Sequence, residues 1–228
     1  KNTRLLAGQP LIAYTIAAAK ASGVFASVFV CTDDEAVEAI AHEHLARVSR
    51  RDRSADDEAD IAWVLGLGYH DVEALAILRP TSPFRTAATI RRAYELFASV
   101  DCDSIRAVEP VTQHPGKMWW VNGDRQPMTP VCDAKRSDRT PWHSCPTQTL
   151  PAAYAQNASL EMAWTRILQM DPPTISGTRI VPFFTEGIEG FDINTEADWK
   201  EAERLMVGFQ AGHPFGPKPC VQSVNTPA

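Results

Sequence analysis

The sequence predicts an α/β domain built on a mostly parallel sheet. Short apolar, β-branched runs alternate with helix-length amphipathic stretches, as in residues 27–32, 74–78 and 104–111 and the segments after them. Strand and helix alternating in this way imply right-handed crossovers. The polar residues most suited to chemistry also follow directly on such runs, and open α/β sheets bind ligands at the carboxyl ends of their strands. The chain has 228 residues, 44% of them hydrophobic, enough to bury the core of one such domain.

Residues 11–19, Leu-Ile-Ala-Tyr-Thr-Ile-Ala-Ala-Ala, have helical periodicity, follow Pro10 and stop near Ser22-Gly23. Residues 27–32 form a strand. Asp33-Asp34-Glu35 then opens a helix to about Glu43, with the acidic first turn suited to the helix dipole. A charged loop over 49–58 leads into a helix over 60–68. A strand over 74–78, a helix over 86–99 and a strand over 104–111 continue the alternation. The pattern then breaks. Residues 112–154 hold six prolines, Trp119-Trp120, Trp142 and the turn Asn122-Gly123-Asp124, which reads as an excursion with a hairpin. Its aromatics are expected either to cover a partner surface or to form a small core of their own. Strands at 158–162 and 178–182, a helix over 194–206 and a Pro- and Gly-rich tail over 208–228 complete the chain.

Net charge is −6, from 22 basic and 28 acidic residues, with no basic block. Nucleic-acid and membrane-surface partners are therefore not expected. No run of about 18 apolar residues exists to span a bilayer. The five cysteines form no C-x-x-C pair and are odd in number, which favours reduced thiols over zinc or disulfides and a cytoplasmic location.

Two segments carry the chemistry. The first, Arg79-Pro80-Thr81-Ser82-Pro83-Phe84-Arg85-Thr86, is a Pro-stiffened loop of hydroxyls and cations at a strand end. The second, Asp192-Ile193-Asn194-Thr195, projects a carboxylate and an amide to one side of extended chain just ahead of a helix. Together they suit a phosphate ester with a divalent metal. Plainer alternatives stay open for each. Ser82-Pro83 can be a turn, Asp192 a helix cap, Arg85 a helix-start cation paired with a carboxylate, and Arg50-Arg51 solvated surface. His42 and His44 face different sides of a helix and do not make a metal site.

Along nearly the whole domain the following occur in order: Lys1-Asn2 with Leu6-Ala7-Gly8-Gln9-Pro10-Leu11-Ile12; Thr32-Asp33; Pro80-Thr81-Ser82-Pro83-Phe84-Arg85-Thr86; His114-Pro115 with Lys117; Gln148-Thr149-Leu150-Pro151; Asn157; and Asp192-Ile193-Asn194-Thr195 with Asp198-Trp199. The series resembles the acylneuraminate cytidylyltransferases, which make CMP-sialic acid and related CMP-activated acidic sugars. The resemblance implies a three-layer Rossmann-like fold of the nucleotide-diphospho-sugar transferase type. Residues 1–112 and 155–207 would form the catalytic domain, 113–154 a dimerisation insertion, and 208–228 a tail. It implies a homodimer that binds CTP and an acidic sugar, with Mg²⁺ (Mn²⁺ as the alternative) at Asp192 and Asn194. Lys1 and Asp192 would be catalytic. Asn2, Arg50, Pro80, Thr81 and Ser82 would contact CTP, and Gln148 and Asn157 the acceptor. Family members carry a strand and a Gly-, Arg- and Lys-containing loop ahead of the Lys-Asn pair, so Lys1 is not expected to be the native start.

This chain also departs from the family pattern. Arg79 stands where Gln is common and could supply acceptor-binding charge. Asn194 replaces a second carboxylate. Thr147 and Ala155-Gln156 stand where sialic acid enzymes place arginines that bind the sugar carboxylate. A different acidic acceptor, such as another sugar acid or a phosphonate, and a non-catalytic nucleotide-binding homologue therefore remain as alternatives.

Overall fold

The structure, a computed structural model, describes residues 1–50, 61, 66, 71–170 and 174–209. It divides into two compact units, 1–107 with 157–228, and 108–156.

The larger unit opens with a two-residue ladder, β1 (Leu5–Leu6) against β2 (Gln9–Pro10), antiparallel. It feeds α1 (Leu11–Ser22), whose Ala-rich surface is buried almost all round. Gly23 ends α1 at φ 68°, a left-handed conformation that glycine adopts without a Cβ penalty. Next come β3 (Phe29–Thr32), α2 (Glu35–Glu43) and β4 (Arg47–Arg50). β3 and β4 are parallel, with Val30 beside Val48, and α2 is the crossover between them. Asp34 caps α2 by accepting the Ala36 N–H at 2.8 Å. The acidic first turn expected there is thus a cap in fact.

β5 (Ala74–Ile77), α3 (Ala87–Ser99), β6 (Ser104–Pro110), β9 (Tyr154–Trp164), β10 (Ile180–Phe184) and α4 (Glu196–Phe209) follow, with β7 and β8 in the smaller unit. The four-stranded sheet runs β10-β6-β9-β5. β9 lies antiparallel to β5, Ala74 opposite Trp164, so the α/β architecture carries mixed rather than uniformly parallel pairing. β4 falls where a charged loop was expected to begin. Its Arg-Val-Ser-Arg sequence hides the strand, because only Ser49 is fully buried and both arginines face solvent. The helix expected at 60–68 lies outside the described residues, apart from Ile61 and Gly66. α4 runs three residues past its expected end, and Phe209 packs edge-on against Phe84 at 5.1 Å. Of the expected tail, only residues 208 and 209 are described, and both belong to this helix.

Three apolar clusters hold this unit. One joins α1 and α3 to the sheet through Ala18, Ala19, Ile90, Phe97, Ile105, Leu160 and Phe183. A second packs Ile12 and Ile16 against Val30, Val37 and Ala41. The third, Leu6, Leu11, Tyr14, Phe84, Ile193, Trp199 and Met206, gathers both chemistry-bearing segments onto one core. Each such side chain, fully buried, contributes about 1.5–3 kcal/mol.

The smaller unit has a core of its own. β7 (Trp119–Trp120) and β8 (Thr129–Pro130) form the expected antiparallel hairpin. The Gly116 N–H donates to His114 Nδ1 at 3.0 Å, so the imidazole's other nitrogen, Nε2, donates to the Pro151 carbonyl at 3.0 Å. Trp142 lies edge-on to His114, and Trp119 lies against His143. These two tryptophans are half-buried within the unit, while Trp120 remains 62% exposed beside exposed Val121 and Met128.

Candidate active site

The Pro-Thr-Ser-Pro loop is short and heavily anchored. After β5 the Ser82 N–H returns to the Arg79 carbonyl at 3.3 Å. Thr86 then caps α3 in a reciprocal capping box with Thr89. Between these anchors Ser82, Pro83, Phe84 and Arg85 are all buried. Arg85 donates to the Ser159 carbonyl on β9, to Thr15 Oγ1 on α1 at 2.9 Å and to the Arg79 carbonyl at 3.2 Å. All three acceptors are neutral oxygens, not the carboxylate considered from sequence. Burial pulls its guanidinium down to about 9, so it remains a cation at neutral pH. Arg85 is a strut rather than a ligand-facing group.

The second segment is tied to the first through the backbone. The Ile193 N–H donates to the Thr81 carbonyl at 2.9 Å, and Lys1 Nζ donates to the Ile193 carbonyl at 2.7 Å. Lys1, the Thr81 loop and the Asp192–Asn194 pair are thereby assembled at one place. Ile193 points into the core, 1% exposed, and alternation sends its two neighbours the other way. Asn194 Nδ2 donates to Asp192 Oδ2 at 2.7 Å, while Asp192 Oδ1 is buried with no partner among the described residues. Asp198 accepts the Asn194 and Thr195 N–H groups at 3.0 and 2.7 Å, and its own N–H donates to Thr195 Oγ1 at 3.2 Å. This cap starts α4, and the two backbone donors hold the Asp198 carboxyl below its usual range.

A cleft of about 370 Å³ opens beside this junction, lined by Lys1, Arg4, Ile193, Asn194, Thr195, Glu196 and Trp199. Its cations suit an anionic ligand. The unpartnered Asp192 oxygen and the Asn194 amide oxygen are the donors that a hard divalent ion takes, with phosphate and water completing its shell. The pair fits an ion that arrives with a phosphate. Among the described residues, no cluster of three His, Cys, Asp or Glu would hold a metal alone.

The other predicted positions are placed as follows. Asn2 is half-buried, and its carbonyl accepts the Ile12 N–H at 3.0 Å. Arg50 ends β4 with its guanidinium on Glu38 of α2 at 3.2 Å. Arg79 lies 3.8 Å from Glu161, a buried carboxylate that also pairs with Arg106. Asn157 is occupied locally, donating to Thr185 Oγ1 and accepting the Ser159 N–H. Gln148 is exposed in a 3₁₀ turn of the smaller unit. Sequence reasoning did not single out Arg4, Glu196 or Trp199 as site residues. Their signal was spacing, since Arg4 follows Lys1 by three positions and Trp199 follows Glu196 by three, which puts the latter pair on one helix face.

A cytidylyltransferase family model matches residues 1–104. Over 216 residues the chain is 31% identical to a CMP-N,N'-diacetyllegionaminic acid synthase of Legionella pneumophila, covering 90% of this chain and 89% of that protein. The chain belongs to the acylneuraminate cytidylyltransferase family. It shares 40% identity over 106 residues with an N-acylneuraminate cytidylyltransferase of Escherichia coli, covering 44% of this chain and 25% of that protein. With N-acylneuraminate cytidylyltransferase A of Danio rerio it shares 26% over 217 residues, or 92% of this chain and 47% of the relative. The chain therefore spans less than half of those two relatives but nearly all of the first. A CMP:2-keto-3-deoxy-manno-octonic acid synthetase, solved with CTP, has the same fold at TM-score 0.61 and 13% identity, covering 91% of this chain and 92% of that one. As a family member the chain is a nucleotidyltransferase with a fold shared by CTP-using enzymes.

Proposed function

We propose that this cytidylyltransferase transfers CMP from CTP to a hydroxyl of an acidic, sialic-acid-like sugar and releases pyrophosphate. The observation that carries the reading is the three-way junction at Ile193, which joins the first cation, the hydroxyl loop and the Asp192–Asn194 pair. In the reaction the sugar oxygen forms a bond to the α-phosphorus. The bond from that phosphorus to its bridging oxygen breaks, pyrophosphate leaves with the bonding electron pair, and the hydroxyl proton passes to solvent water. The barrier is dominated by charge on phosphoryl oxygens, so placed cations and donors do most of the work.

Lys1 is the point charge for those oxygens. The Pro80-Thr81-Ser82 backbone and hydroxyls, with Asn2 and Arg50, are assigned to the nucleoside. Asp192 and Asn194 would hold Mg²⁺, which supplies charge neutralisation at the phosphates. Arg79, Gln148 and Asn157 are assigned to the acceptor. Thr147 and Ala155-Gln156 offer no cation to a sugar carboxylate, and a buried unpaired charge is costly. An acidic sugar other than N-acetylneuraminic acid is therefore favoured, and the name of the Legionella relative points the same way. The exposed Trp120, Val121 and Met128 support a homodimer through the smaller unit. No described helix is long and apolar enough to cross a membrane, and no disulfide joins the described cysteines. Cysteines held as thiols fit a reducing, cytoplasmic setting, which is the location this reading assigns.

The test is pyrophosphate release by the purified protein with CTP and Mg²⁺ across a panel of acidic sugars that includes N-acetylneuraminic and N,N'-diacetyllegionaminic acids. N-acetylneuraminic acid should be a weak substrate. Asp192→Ala should lower turnover by about 10²-fold or more without changing the melting temperature. Near-normal release by Asp192→Ala would move the phosphate site elsewhere, and silence of the wild type with every acceptor would leave a nucleotide-binding protein.

A further inference from the structure

Local geometry brings two cations to the cleft. The Arg4 N–H donates to the Lys1 carbonyl at 3.1 Å, which closes a tight turn, and both side chains line the cleft with Asn194. Lys1 is already assigned to phosphate, whereas Arg4 has no role in that reading. Its guanidinium makes a two-pronged pair with Glu196, at 2.6 and 2.9 Å, and its Cζ lies 4.0 Å from the centroid of the Trp199 ring. The indole is fixed in turn, buried in the core and donating its N–H to Glu203 at 3.0 Å.

Each part of this arrangement favours exchange. The fork of an arginine matches carboxylate and phosphate oxygens alike, so Glu196 occupies the position that an anionic ligand would take. The pair is solvent-exposed, with side-chain exposures of 46% and 62%, and such pairs hold only weakly. A di- or triphosphate carries several charges against one on Glu196. Losing Arg4 does not strand Glu196, because it is the first residue of α4, where the helix dipole favours a carboxylate. Nor does leaving Glu196 free Arg4 to wander, because the cation–π contact with Trp199 keeps it over the cleft.

We propose that Arg4 is a phosphate-binding residue, held by Glu196 when no phosphate is bound and transferred to the diphosphate end of the nucleotide, or to pyrophosphate, when either enters. This rests on the cytidylyltransferase reading and adds to it the group that grips the leaving side of the triphosphate. The exchange gives selectivity for ligands that carry a diphosphate. CMP, which lacks one, gains nothing from Arg4. It also makes Glu196 a competitor that assists product release, since the carboxylate recaptures the arginine as pyrophosphate departs.

Calorimetric titration with inorganic pyrophosphate, CTP and CMP, each with Mg²⁺, tests the proposal on the wild type, Arg4→Met, Arg4→Lys and Glu196→Gln. Met keeps an unbranched apolar stem over Trp199 while removing the fork. Arg4→Met should weaken pyrophosphate and CTP by about tenfold, leave CMP unchanged and melt within about 2 °C of the wild type. Arg4→Lys should recover part of the loss. Glu196→Gln should tighten pyrophosphate several-fold at low salt. Unchanged pyrophosphate and CTP binding by Arg4→Met, with normal binding by the wild type, overturns the inference alone. So does a Glu196→Gln protein weakened as much as Arg4→Met, because the pair is then a structural strut. A wild type that binds neither pyrophosphate nor CTP overturns the cytidylyltransferase reading as well.

Discussion

Replacing Arg85 separates two things a buried arginine can contribute, its charge and its fork. The side chain is 1% exposed and reaches acceptors on three elements: the β9 backbone, the α1 hydroxyl of Thr15 and the Arg79 carbonyl. Removing the guanidinium takes a donor from the Ser159 carbonyl and from Thr15 Oγ1, while the Arg79 carbonyl keeps the Ser82 N–H; at about 1–3 kcal/mol for each of the two, the loss is roughly 4 kcal/mol. It also removes the cost of burying the charge. That cost follows from burial, which pulls the guanidinium from its ordinary value down to about 9 and corresponds to roughly 5 kcal/mol. The two nearly cancel, so Arg85→Met should change stability by no more than about 2 kcal/mol, or roughly 4–8 °C in melting temperature. Arg85→Lys is predicted to be worse, not better. An ammonium keeps the buried charge, is more strongly hydrated, and cannot span three acceptors lying in different directions. Urea unfolding followed by circular dichroism reads both variants as shifts in midpoint at constant slope. A Lys variant as stable as the wild type, with the Met variant well below it, would show that charge rather than the fork matters here and would refute the argument.

Asp103 accepts the Thr178 and Arg179 N–H groups, both at 2.9 Å, and the Thr178 hydroxyl at 3.1 Å. These donors, the Arg179 N–H foremost, hold its carboxyl far below the usual range. A folded-state value below the unfolded one of about 3.9 means that its stabilisation is full above that pH and is lost as pH falls through the acid range. Asp103→Asn should therefore cost about 1–2 kcal/mol at pH 7. The gap from the wild type should shrink toward pH 3 in denaturant titrations; a gap independent of pH would contradict the assignment. For the smaller unit, sedimentation should give the wild type roughly twice 25.1 kDa and Trp120→Ser a lower mass at micromolar concentration, whereas an unchanged mass would place any interface elsewhere.

The strands and helices most legible in the sequence were those whose burial is one-sided or total. α1, α3 and β6 announce themselves because their apolar residues face a core cluster with few interruptions. β4 did not, since two arginines flank its single fully buried residue. The antiparallel run of β9 against β5 was also hidden, because local periodicity records burial and not strand direction. That Asp192 and Asn194 share one side of the chain was readable from two-residue alternation. Arg85 was ambiguous for a physical reason, as a guanidinium looks the same in sequence whether it faces a ligand or three carbonyl and hydroxyl oxygens. Trp119 and Trp142 looked like interface residues, yet His143 and His114 of their own unit cover part of them. Arg4 escaped notice because its meaning depends on Glu196 and Trp199, 192 and 195 positions further along the chain.

The Ile193 side chain is shut into the core, yet its peptide groups bind Thr81 on one side and Lys1 on the other at the edge of the cleft. A shift of the side chain by a fraction of an ångström is transmitted to Asp192 and Asn194 at once, because the three share one rigid stretch of extended backbone. Exchanging Ile193 for a smaller aliphatic residue would thus change the spacing of side chains that point away from the one exchanged. The tolerance of this enzyme to hydrophobic drift is accordingly narrower at Ile193 than packing volume alone would suggest, and that residue couples the history of the core to the history of the chemistry.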